Sequence, residues 1–136
     1  MKTLIVEDDF TSRRLLQKIL SPYGSCDIAV DGKESVEAFH LALEEKQPYD
    51  LICIDIMMPK MDGQEVLREI RKIEAERRIH GLSGVKIIMT TALGDKGNIM
   101  KAFKEQCEAY LVKPIDRKKL LKEIRNLGLL EQETEG

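Results

Sequence analysis

A chain of 136 residues with 43% hydrophobic and 34% charged side chains has the makeup of one soluble globular domain. Its 22 basic and 24 acidic side chains leave a formal net charge of -2, which excludes a general electrostatic pull toward nucleic acid or a membrane surface. Length alone predicts a single hydrophobic core.

Along the chain one rhythm repeats. Thr3-Leu4-Ile5-Val6 is a compact apolar run expected as a first strand, and Glu7-Asp8-Asp9 follows it. Leu15, Leu16, Ile19 and Leu20 share one face of a first helix, which Pro22 and Gly24 end. Residues 26–30 read as a second short strand. Asp31, with Glu34 three residues on, forms a capping box that opens a helix whose Val36, Phe39 and Leu43 turn inward. Leu51-Ile52-Cys53-Ile54 is apolar at every position, as a strand covered on both faces must be. Asp62 and Glu65 repeat the capping box before a helix with Val66, Leu67, Ile70 and Ile73 inside. The stretch 74–84 is long for a connection and is expected to extend that helix by a turn or more, without carrying chemistry. Residues 85–90 are the fourth strand, Asp95 precedes a helix with Ile99, Ala102 and Phe103 inward, and residues 109–112 are the fifth strand. Asp116 caps a last helix with the stripe Leu120, Leu121, Ile124 and Leu127, stopped by Gly128. The domain is expected to span residues 1–128, with 129–136 an acidic, disordered tail.

The cysteines, at 26, 53 and 107, are odd in number and make no CxxC pair, which argues against a disulfide framework or a cysteine zinc site and fits a reducing cytoplasm. No apolar run approaches the roughly 18 residues of a membrane span. Met1-Lys2 leads straight into the first strand, so no secretion signal is expected.

Five strands alternating with five helices predict an α/β fold with a parallel sheet covered on both faces. Ligands bind such sheets just beyond the carboxyl ends of the strands. The residues there are Glu7, Asp8 and Asp9 after the first strand, Asp55 after the third, Thr91 after the fourth and Lys113 after the fifth. Carboxylates crowded about 5 Å apart repel by roughly 3 kcal/mol at an effective dielectric near 20, so the cluster calls for a cation, a raised pKa, or both. A few carboxylates plus water suit magnesium. With a free carboxylate, a lysine and a hydroxyl beside it, such a site can support phosphoryl transfer onto the carboxylate.

Val6-Glu7-Asp8-Asp9, Asp55-Ile56-Met57-Met58-Pro59, Met61-Asp62-Gly63, Thr91-Ala92 and Tyr110-Leu111-Val112-Lys113-Pro114 occur in order and at strand ends. Together they resemble the receiver domains of bacterial two-component response regulators, of the chemotaxis-regulator kind, over residues 3–127. The resemblance implies a flavodoxin-like doubly wound sheet in the order 2-1-3-4-5. It implies a phosphorylation switch that takes its phosphoryl group from a sensor histidine kinase or a histidine phosphotransfer protein. It also implies roles residue by residue. Asp55 is the phosphoacceptor. Asp8 holds magnesium directly and Glu7 through water, with Asp55 and the backbone carbonyl of Met57 as further ligands. Lys113 pairs with the phosphate, across a Lys113-Pro114 bond that is often cis in the family. Thr91 moves toward the phosphoryl group and Tyr110 turns inward behind it. That movement would change a surface on the fourth helix, fifth strand and fifth helix, about residues 97–127, for an unknown downstream protein. Met57 and Leu93 flank the approach of water, and as large apolar residues they imply slow self-dephosphorylation.

Several of these residues also have ordinary structural readings. Asp9 alone is a helix cap as readily as a site residue. The run Arg117-Lys118-Lys119 with Lys122 and Arg125 reads as a solvated helix face or a partner surface. Cys107-Glu108 stands where many receivers have a small Gly-Ala pair, and is expected to affect a turn only. Two further functional readings remain. Glu7-Asp8-Asp9-Phe10-Thr11 loosely resembles the DxDxT pattern of haloacid dehalogenase-type phosphatases, and a docking module that is never phosphorylated would share the fold. No helix-turn-helix pattern follows Leu127, so direct nucleic-acid binding is not expected, and without a span-length apolar run no membrane role is expected either.

Overall fold

The structure is a computed structural model that describes residues 1–58, 61–92 and 107–132. The elements run β1 (Thr3–Val6), α1 (Phe10–Leu20), β2 (Cys26–Ala29), α2 (Gly32–Glu44), β3 (Leu51–Asp55), α3 (Gly63–Glu76), β4 (Lys86–Thr91), β5 (Ala109–Val112) and α4 (Arg117–Asn126). All five strands are parallel, in the order β2-β1-β3-β4-β5. The helix expected after Asp95 lies outside the described residues, so α4 is the helix read as the fifth from sequence.

Strand residues alternate between the two faces of the sheet, and this divides the core. Leu4, Ile52 and Ile87 face α2 and α3, where Phe39, Leu67 and Ile70 cover them. Ile5, Cys53 and Ile88 face α1 and α4, under Leu16, Ile19 and Leu120. The single core expected from chain length is therefore two, because a parallel sheet must be sealed on both sides. Burial of this kind contributes about 25 cal/mol per Å2 of apolar surface and is what drives the sheet and helices together.

The caps form where the sequence places them. Asp31, Asp62 and Asp116 each accept a backbone N–H from the first turn of α2, α3 and α4. Leu15 departs from its expected stripe and is half exposed, since the other three residues already fill the contact with the sheet.

The stretch after α3 differs more. The helix extends into the stretch only as far as Glu76, short of a full turn, and Arg78 takes the left-handed conformation at φ 60°. A left-handed C-cap closes the helix, the Arg78 N–H donating to the Ala75 carbonyl at 3.1 Å and the Ile79 N–H to the Glu74 carbonyl at 2.8 Å, while the Glu74 side chain turns inward. One oxygen accepts the Val85 N–H at 2.7 Å and the other accepts from Arg71 at 2.6 Å. The same guanidinium donates to the Val85 carbonyl and, through its other nitrogen, to both oxygens of Glu108 at 2.9 and 3.0 Å. Glu108 also accepts the Ile87 N–H at 2.6 Å. Cys107-Glu108 is thus more than a turn variant, since it joins the starts of β4 and β5 to α3. At the other terminus Leu129 and Leu130 are half-buried against the second core, so packing continues past Gly128 into the stretch read as tail. Residues 133–136 lie outside the described residues.

Removing one partner of a buried charge network leaves the others uncompensated, at a cost of about 3–5 kcal/mol when fully buried. Here Arg71 and Glu108 keep some contact with water, so Arg71→Ala is expected to cost about 2 kcal/mol in urea unfolding. The loss in Arg71→Ala with Glu108→Ala should fall short of the sum of the single losses.

Candidate functional site

Three strands deliver the acidic and basic groups to one crevice at their carboxyl ends. Val6 is the last residue of β1, and Glu7 directly continues the ladder, its N–H donating to the Ala29 carbonyl at 3.1 Å. Asp55 closes β3 opposite Thr90. Lys113 follows β5, its N–H donating to the Thr91 carbonyl at 2.7 Å, and the Lys113-Pro114 peptide is cis. Backbone hydrogen bonds of the sheet therefore fix where each side chain starts.

Carboxylate oxygens of Glu7, Asp8 and Asp55 lie within 4.8 Å of one another. Lys113 reaches into the group, with Nζ 2.5 Å from Glu7 Oε1 and 3.2 Å from Asp55 Oδ2. The nearer contact is an ion pair without hydrogen-bond geometry, and Glu7 Oε1 has no other partner among the described residues. Glu7 is fully buried and Asp55 nearly so, while Asp8 is exposed at the rim. Burial pushes the Glu7 carboxyl up to about 7, against the pull of Lys113 and with the Asp55 charge adding to the rise. Burial pulls the Lys113 ammonium down, yet its contacts with Glu7 and Asp55 outweigh that and hold it above its usual range.

The remaining expected residues surround this cluster. The Met57 N–H donates to Asp55 Oδ1 at 3.1 Å, while the Met57 side chain is 61% exposed. Thr91 is fully buried at the end of β4, its hydroxyl making one long bond, 3.4 Å, to the Ala92 carbonyl. Tyr110 stands on β5 with its ring 39% exposed. Asp9 is the N-cap of α1, accepting from Ser12 N–H at 2.9 Å, which lowers its pKa. Pro59 and Leu93 lie outside the described residues.

Two residues here were given no role by sequence reasoning. Arg13 donates to the backbone carbonyl of Glu7 at 3.3 Å and braces the loop after β1. Gly63 donates its N–H to the Ile56 carbonyl at 2.9 Å, and a Cβ there would lie 2.4 Å from the Asp55 carbonyl oxygen. Only glycine lets α3 start this close to the acceptor strand, and its place in Met61-Asp62-Gly63 was the available signal.

The donor set suits a small hard cation. Ligands about 2.1 Å from magnesium lie at most about 4.2 Å apart, so a cluster spanning 4.8 Å closes with a small side-chain shift or one intervening water. Glu7 Oε1 is buried, and its close partner among the described residues is the Lys113 ammonium.

A doubly wound sheet in this order, with an acidic cluster and a lysine at its carboxyl edge, defines a phosphoacceptor type of α/β domain. Comparison with known proteins agrees. The family model described as "Response regulator receiver domain" matches residues 3–125. The chain is 39% identical over 125 residues to a probable transcriptional regulator, ycf27, of Guillardia theta, covering 91% of this chain and 44% of that protein. It spans about half the length of the first such curated relatives. The receiver domain of sensor histidine kinase PA1611 from Pseudomonas aeruginosa PAO1, solved with a magnesium ion coordinated in its active site cleft, is 30% identical. That match covers 93% of this chain and 97% of the other, with TM-score 0.74. The receiver domain of Ssk1, solved with the phosphotransfer protein Ypd1 of Saccharomyces cerevisiae, is 27% identical, covering 94% and 88%, with TM-score 0.79. The chain belongs to the response regulator receiver domain family. It is a phosphorylation-dependent signalling domain and not a classical enzyme, which sets aside the phosphatase reading.

Because crowded carboxylates oppose one another in the metal-free fold, magnesium should raise the melting temperature. At a hundred times its dissociation constant the gain is about 2.7 kcal/mol when the unfolded chain does not bind it. Asp8→Ala should remove most of this dependence, read by thermal unfolding with and without millimolar magnesium.

Proposed function

We propose that Asp55 accepts a phosphoryl group from a phosphohistidine of a sensor histidine kinase or histidine phosphotransfer protein. The observation that carries this reading is Lys113, whose ammonium rests 3.2 Å from Asp55 Oδ2. A phosphoryl group added to that carboxylate meets a fixed positive charge without rebuilding the site. In the transfer an Asp55 oxygen bonds to phosphorus as the phosphorus–nitrogen bond to the donor histidine breaks. The bonding pair leaves with the imidazole, which takes up a proton, and Asp55 is left as an acyl phosphate.

Magnesium is the proposed cofactor, supplying charge neutralisation at the phosphoryl oxygens. Asp8 and Asp55 would hold it directly, Glu7 through water and Met57 through its backbone carbonyl. The acidic cluster and the magnesium in the PA1611 receiver support this. The complex of the Ssk1 receiver with Ypd1 supports a phosphotransfer partner.

The readout is a population shift. Thr91, whose hydroxyl is held by one long bond, moves toward the phosphoryl group, and the half-exposed Tyr110 ring fills the space behind it. The surface altered for a downstream protein includes β5 and α4, while residues 97–106 of it lie outside the described residues. A cytoplasmic location is part of this reading; no described helix is long and apolar enough to cross a membrane. Self-dephosphorylation is slow, because the apolar Met57 side chain beside Asp55 cannot orient an attacking water.

Incubation with acetyl phosphate and magnesium should add one phosphoryl group, located at Asp55 by peptide mass spectrometry. After removal of the donor the adduct should decay faster in Met57→Asn than in the wild type. Full labelling of Asp55→Asn would contradict the assignment.

A further inference from the structure

Of the three carboxylates in the acidic cluster, Asp8 has the least to hold it. Its side chain is exposed, and among the described residues nothing hydrogen-bonds its carboxylate. Its aim therefore depends on the two planar peptide units that flank it, since only the dihedrals between them direct the side chain. The unit after Asp8 is fixed by the Asp9 N–H, which donates to Glu7 Oε2 at 3.2 Å. The unit before it is fixed at the Glu7 carbonyl, which accepts from Arg13 Nη1 at 3.3 Å.

Arg13 is itself steadied at both ends. Its N–H donates to the Asp9 carbonyl at 2.9 Å, which sets its backbone in the first turn of α1. Its guanidinium lies over the Phe10 ring, 5.4 Å from the centroid, as residues three apart on a helix can. Phe10 is 60% exposed, so core burial does not account for an aromatic there, whereas a platform for the guanidinium does. Arg14 provides a natural contrast. Its guanidinium lies 5.7 Å from the same ring, yet it is exposed and, among the described residues, makes no hydrogen bond to the loop.

We propose that Arg13 is a positioning residue for the magnesium site: by holding the Glu7 carbonyl, with Phe10 as its platform, it keeps Asp8 aimed at the cluster. The inference rests on the magnesium reading above and deepens it. Two effects of the guanidinium oppose each other. As a positive charge near the loop it disfavours a divalent cation. As a brace it orders the loop before the cation arrives. The charge effect is weakened by water and salt at an exposed rim. Groups that orient metal ligands from outside are worth about 10–100-fold in affinity, so the brace prevails. The sign of the net effect therefore separates the two.

The test titrates magnesium into the wild type, Arg13→Ala and Arg14→Ala and reads heat. Both variants remove one positive charge from neighbouring positions of α1, and alanine keeps the helix. Arg13→Ala should weaken magnesium binding about tenfold, the low end for an orienting group. Arg14→Ala should leave binding unchanged or slightly tighter. A second readout needs no metal: in the metal-free protein the Asp9 amide should exchange with water faster in Arg13→Ala and at the wild-type rate in Arg14→Ala. Magnesium binding in Arg13→Ala as tight as in the wild type would overturn the proposal, as would an Asp9 amide that exchanges no faster. A wild type that binds no magnesium would overturn the magnesium reading and this proposal with it, a result distinct from either of those.

Discussion

At the carboxyl end of the sheet the Lys113 ammonium lies between two buried carboxylates, and much of the architecture serves to hold it there. The backbones of Glu7, Asp55 and Lys113 are each tied to a neighbouring strand, so the sheet holds the points from which the three side chains converge. Burying Glu7 without a countercharge would be costly, and Lys113 lowers that cost without removing it, as the upward-shifted Glu7 carboxyl shows. The pocket is consequently electrostatically incomplete. Its three carboxylates outnumber its one ammonium, and the imbalance is what makes it receptive to a divalent cation and a phosphoryl group.

The opposite end of the sheet uses charge differently. Arg71 meets Glu74, Glu108 and the Val85 carbonyl with hydrogen bonds to every partner, and the two carboxylates also accept strand N–H groups. That network is satisfied and ties α3 to β4 and β5.

Much of this was legible from the chain. The β3 run is apolar throughout because both faces are covered, and the aspartates at 31, 62 and 116 precede helices because their side chains take up first-turn N–H groups. The site residues were legible because strand ends are where such a sheet exposes polar groups. The missed features depend on tertiary partners. Glu76-Arg77-Arg78 are sound helix formers, yet α3 closes there with Arg78 in the left-handed conformation, and Glu74 is drawn inward to Val85 and Arg71, eleven residues ahead and three behind. Glu108 looked like a turn substitution until Arg71 stood opposite it. Leu15 fits the helical period yet faces water, because periodicity gives direction and not the width of the contact.

The central claim is that the Glu7–Asp8–Asp55–Lys113 cluster binds magnesium and a phosphoryl group together, and a crystal structure with magnesium and beryllofluoride tests it most directly. The account predicts beryllium bonded to an Asp55 oxygen, a fluoride in contact with Lys113 Nζ, and magnesium held by Asp8, Asp55 and the Met57 carbonyl. A structure in which beryllofluoride leaves Asp55 free, or in which magnesium binds away from Asp8 and Asp55, would contradict it.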